Sequence, residues 1–182
     1  MQEHTDDYVP PSRLWRRLPV ERRTEAARAF WENDDEASLN EQMEAVLALS
    51  RHMKFRPQSM QAMALDKRAK YLAQLPGVSD SIAARALVSY HLAHQRPMMA
   101  AFLDALGISH EDGLITAENL EPPAKPALSK AAGDLARTHP PEDVALYLST
   151  LLAQDPHTWE GLAGLAQLET SKDPPQPSER KP

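Results

Sequence analysis

At 182 residues with no cysteine and a formal charge of −6 at pH 7, the chain excludes disulfides, thiolate metal sites and cysteine nucleophiles and is a poor general binder of polyanions. Alanine and leucine supply 50 residues, against 16 for valine, isoleucine and threonine together, a balance that favours helix over strand. The first residues are polar and acidic rather than leader-like, and no run reaches the ~20 apolar residues of a membrane helix, so a cytoplasmic protein without membrane contact is expected.

Residues 1–11 contain few large apolar groups and are read as a disordered tail. A short helix is expected over 12–18 and a second over 19–32, with Val20, Ala27, Phe30 and Trp31 on one face. Ser38 followed by Glu41 has the spacing of a capping box. The helix behind it carries the stripe Leu39, Met43, Val46, Leu47 and Ser50. Pro57 opens a short helix bearing Met60, Met63 and Ala64. Another follows through Leu65, Ala69, Leu72 and Ala73, and stops at Pro76-Gly77.

Ser79 or Asp80 caps a helix reaching about His94. It is apolar nearly all round, which suits the centre of a bundle. Pro97 opens the next, with Met99, Phe102, Leu103 and Leu106 at helical spacing and Gly107 at its end. The connection 108–126 includes a Gly-Leu-Ile-Thr run that fits a brief strand or a tether. Helices are then expected over 128–138, 141–154 and 158–168, and residues 170–182 are read as a second disordered tail.

The fold class is therefore all-α: a multi-helix bundle or a short solenoid-like array of three-helix units. A single domain is drawn over 12–169, divisible into 12–64, 65–113 and 127–169, with 114–126 as a linker. The array rests on the first helices at Val20, Leu65 and Leu128 and on third helices opening at Pro57, Pro97 and Pro156. Met99, Phe102, Leu103 and Leu106 also match Trp159, Leu162, Ala163 and Ala166 at a constant offset. The run from Arg96 to Gly113 is unusual in composition and fits none of the tetratricopeptide, ankyrin or helix-turn-helix patterns.

Four groups of residues are candidates for chemistry. Tyr90, His91, His94, Arg96, Asp104, His110, Glu111 and Asp112 gather imidazoles and carboxylates suited to metal ligation or acid–base work. Within this group His94, aligned with Ala83, Leu87 and Tyr90, reads as a hydrogen-bonded core histidine. The turn between Gly107 and Gly113 can place His110, Glu111 and Asp112 at a pocket mouth. Arg13, Arg16, Arg17, Arg22, Arg23 and Arg28, with Trp15 among them, fit phosphate or an acidic partner, although Asp34, Asp35 and Glu36 stand ready to neutralise them. Met53, Met60, Met63, Met98 and Met99 fit either core filling or an adaptable binding surface.

No phosphate-binding glycine loop, nucleophile elbow or His-Glu-x-x-His is found. The expected function is non-enzymatic: a helical module that binds another protein in a groove between helices, with no cofactor and no metal. The alternative is a metal-dependent or acid–base enzyme using His91, His94, Asp104, His110 and Glu111. A third reading is a nucleic-acid-associated factor using the Arg13–Arg28 cluster.

Overall fold

A computed structural model describes residues 9–166. Nine α-helices dominate the described residues: α1 (Pro11–Arg17), α2 (Val20–Glu32), α3 (Leu39–Met53), α4 (Pro57–Gln61), α5 (Leu65–Gln74), α6 (Asp80–His94), α7 (Arg96–Leu106), α8 (Lys125–Thr138) and α9 (Pro141–Gln154). Between α7 and α8 lies an antiparallel hairpin of β1 (His110–Glu111) and β2 (Leu114–Ile115), with His110 opposite Ile115 and Glu111 opposite Leu114. The all-α expectation holds. The tails as drawn fall outside the described residues except for 9–11, where Val9 packs on the core and Pro11 is the buried first residue of α1.

Local chemistry sets the boundaries. Proline stands in the first turn of α1, α4, α7, α8 and α9, where its missing N–H costs nothing. The Ser79 hydroxyl accepts from the Ile82 amide at 3.3 Å and starts α6. Gly107, at φ 68°, ends α7 in the left-handed conformation.

Ser38 does not cap α3. It lies in a 3₁₀ turn (Glu36–Ser38), and Asp35 accepts from the Ala37 amide at the start of that turn. Glu41 is drawn instead to Arg85 on α6, 3.8 Å away. The stripe read on α3 is also displaced. Ala45, Val46, Leu49 and Ser50 are buried, while Leu39, Met43 and Leu47 face solvent.

The core is two hydrophobic clusters joined at α6 and α9. The first gathers Trp15, Phe30, Leu49, Met60, Leu72 and Leu87, with Leu146 and Ala153 reaching in from α9. The second gathers Met99, Phe102, Leu103, Leu128, Tyr147 and Trp159. Helix α6 touches α1, α2, α3, α7 and α9, as its all-round apolar surface requires.

The three aligned third helices take three different forms. They are the five-residue α4, the eleven-residue α7, and a 3₁₀ turn (Glu160–Leu162) where a helix was expected over 158–168. Residues 167–168 of that expectation lie outside the described residues. Gly161 and Gly164 give this stretch little helix propensity, and an added Cβ on Gly161 would stand 2.5 Å from Leu128 Cδ1. The chain passes close against α8 there, at a residue without a side chain. Phe102 of α7 and Trp159, which leads into the 3₁₀ turn, pack on each other, ring centres 6.1 Å apart.

Candidate functional site

The histidine and carboxylate group divides into two places. His91 is sealed between α6 and α9, 1% exposed. His94, read as the core histidine, is exposed at the end of α6, with its ring 5.1 Å from Tyr90. Because α6 is apolar on every side, its periodicity does not reveal which face α9 will cover.

Around His91, aromatic rings form a continuous line across the junction of the two clusters. Tyr90 lies 5.5 Å from His91, His91 5.4 Å from Tyr147, and Tyr147 5.7 Å from Phe102. The imidazole Nδ1 stands 3.2 Å from Gln95 Oε1, and Nε2 3.0 Å from Thr150 Oγ1. Thr150 Oγ1 is also 2.7 Å from the Leu146 carbonyl oxygen. If Nδ1 carries the proton and donates to Gln95, the Thr150 hydroxyl has one hydrogen for two acceptors. An imidazolium would fill that gap, but burial opposes the charge more strongly. Desolvation pulls the His91 pKa down to about 4, against a smaller upward pull from Gln95. His91 is thus a neutral polar pin, and neither nitrogen faces water. Burial likewise raises the hydroxyl pKa of Tyr147. Tyr90 is raised by its own burial, partly offset by the Arg22 guanidinium 6.0 Å from its ring centre.

The second place is the hairpin against α7. The Gly113 amide donates to His110 Nδ1 at 3.1 Å, so Nε2 carries the proton and donates to Asp104 Oδ1 at 3.0 Å. Both ring nitrogens are thereby occupied, and the histidine fastens the hairpin to the helix instead of offering a free base. Arg96 donates to both the backbone oxygen and the carboxylate of Asp112, each at 3.3 Å. Glu111 is exposed on β1. The structure joins Arg96, Asp104, His110 and Asp112 and leaves His91 and His94 apart from them. Among the described residues no three His, Asp or Glu side chains are grouped to hold a metal ion.

The turn at Asp112 and Gly113 has φ of 48° and 90°, the conformation two-residue hairpins use. A Cβ on Gly113 would stand 2.8 Å from Met99 Cβ and 3.3 Å from the Arg96 carbonyl oxygen. Neither neighbour can swing aside. Gly113→Ala is therefore expected to lower stability by about 1–3 kcal/mol. A urea transition that did not move would contradict this close docking.

Two of the six arginines in the cluster are tied down by ion pairs. Arg22 pairs with Asp143 on α9 at 2.9 Å. Arg28 pairs with Glu32 and with Asp66 on α5. Arg23 is half-buried, while Arg13, Arg16 and Arg17 are exposed. Asp80, which lies in the field of Arg16, accepts from the Ser12 amide at 3.0 Å, and hydrogen bonding to Ser12 holds its carboxyl below the usual range. The neutralising carboxylates come from α2, α5, α6 and α9, not from the nearby Asp34, Asp35 and Glu36. The methionines fill the core: Met60, Met98 and Met99 are buried, and Met53 and Met63 pack against the first cluster.

A feature that sequence reasoning missed is a groove of about 630 Å³ between α8 and α9. Ser129, Ala132, Gly133 and Ala136 form one wall at helical spacing, Ala145 and Leu148 belong to the other, and Leu165 stands at its edge. Small side chains on the α8 wall keep it open, and α8 leans mainly on α7. The run Ser129…Ala132-Gly133…Ala136 is the signal that was available, a helical stripe too small to fill its own interface. No helix among the described residues is long and apolar enough to cross a membrane. No protein-family model, curated protein or solved structure matches this chain.

Proposed function

We propose that this chain is a non-enzymatic binding module that receives an amphipathic helix of a partner protein in the groove between α8 and α9. The observation that carries this reading is the small-residue stripe from Ser129 to Ala136 on α8, facing an apolar wall of Val144, Ala145 and Leu148 on α9. A helix laid along them would bury apolar anchors at i, i+3, i+4 and i+7. Small wall residues allow its backbone close, and Leu165, 38% exposed, closes over one side. Glu142, exposed on the groove lining, favours a basic residue on the incoming helix.

Gly133→Leu tests the reading without a steric penalty, since an added Cβ there meets nothing within 4 Å. Replacing a mid-helix glycine also gains up to about 1 kcal/mol of helix propensity, so the variant should fold at least as well while plugging the groove. A display library of amphipathic helices, selected against the whole protein, should yield binders that Gly133→Leu abolishes. Binders indifferent to Gly133→Leu, or no binders at all, would refute the proposal.

A further inference from the structure

Helix α3 presents an apolar ridge that nothing in the described chain covers. Leu39, Met43 and Leu47 follow one another at i, i+4 and i+8 and are 53%, 47% and 43% exposed. The ridge is flanked along the sequence by opposite charges. Asp35 and Glu36 precede Met43 by eight and seven residues, and Arg51 follows it by eight. Further out stand Asp34 on the acidic side and Lys54 and Arg56 on the basic side, all exposed. Among the described residues none of these six charges has an ion-pair partner.

We infer that α3 is a self-association surface whose occupant is α3 of a second copy of this chain, packed antiparallel about a two-fold axis through Met43. At 1.5 Å per residue Arg51 lies roughly 12 Å along α3 from that axis, and the acidic residues lie beyond the opposite end, in the 3₁₀ turn that leads into the helix. Antiparallel packing therefore sets the acidic end of each copy against Arg51 of the other, and two-fold symmetry forms each pairing twice. Leu39 of one copy meets Leu47 of the other, and the two Met43 side chains meet at the centre. A parallel pair would oppose acid to acid and base to base, and the helix dipoles would add to the repulsion. A single helix pair buries less than the roughly 1,200 Å² of lasting assemblies, so the dimer is reversible. A second copy supplies both charge signs at once, its basic end for the acidic end of the first and its acidic end for the basic one.

Sedimentation of the full chain at low salt, from on the order of 10 µM to 1 mM, should show a monomer–dimer equilibrium. Met43→Glu places two carboxylates at the axis and should leave a monomer with an unchanged circular dichroism melt. Arg51→Glu should weaken the dimer at least tenfold, and adding Glu36→Arg should restore it, since the reversed charges match again. A monomer throughout the range would overturn the inference, including one that binds a different polypeptide through Met43. A dimer that survives Met43→Glu would overturn it as well, and failure of the double reversal to rescue would overturn the antiparallel pairing.

Discussion

Leu103→Ala is expected to lower the free energy of unfolding by about 2–5 kcal/mol, the range for removing a buried leucine side chain without collapse of the site. Leu103 has no exposed surface and belongs to the second cluster with Phe102, Leu128 and Trp159. Its backbone oxygen also receives the Ile108 amide at 3.0 Å, just where the chain leaves α7 for the hairpin. Rings and branched side chains on α7, α8 and the 3₁₀ turn hold the space, so the cavity will close only in part. For a chain of this size the melting temperature should fall on the order of 10 °C. Leu39→Ala, on the exposed ridge, should move it by no more than a degree or two, within the usual ~0.5 kcal/mol of surface changes. Equal effects at the two positions would mean that the Met99–Leu106 face of α7 is in water.

The second large effect is a pH dependence that belongs to one residue. Folded His91 binds a proton only near pH 4, whereas in the unfolded chain a histidine does so near pH ~6.5. Between these values the unfolded state holds more protons, so stability falls as pH is lowered through the window and this contribution levels off below about pH 4. The separation amounts to about 3 kcal/mol. Other histidines titrate too, so the measurement is a difference: urea unfolding of the native chain and of His91→Gln at intervals from pH 7.5 to 3.5. Gln keeps polar atoms between Gln95 and Thr150 and carries no charge at any pH. The native curve should lose about 3 kcal/mol more than the variant across the window. Parallel curves would mean that water reaches His91 in the folded protein.

How much of this was legible in the sequence follows from what periodicity measures. It finds a face and not the neighbour that covers it. Helices α7 and α9 were readable to within a residue because proline opens each of them and one of their faces is plainly apolar. On α3 two apolar stripes compete, and Ala45, Val46 and Leu49 won the core from Leu39, Met43 and Leu47 because α6 lies on that side. The stretch near Gly161 was read as helix because its apolar spacing is right, but Gly161 and Gly164 favour helix poorly and only a 3₁₀ turn forms. At the candidate site, local sequence linked Asp104 to His110, six residues apart. Nothing local links His91 to Thr150, 59 residues away. The groove also escaped notice, since alanine and glycine stripes carry little hydrophobic signal and matter only once a second stripe faces them.

The insertion of α9 into the first cluster has a consequence for how the chain is made. Leu146 and Ala153 complete a core otherwise assembled from α1 to α6, and Asp143 supplies the counter-ion of Arg22. A growing chain emerging from the ribosome therefore has most of its first lobe long before it has the piece that closes it. Until α9 has left the exit tunnel, the apolar surface that will meet it stays open. Early helices must wait half-assembled for a late one, and during that wait the nascent chain is most exposed to unwanted company.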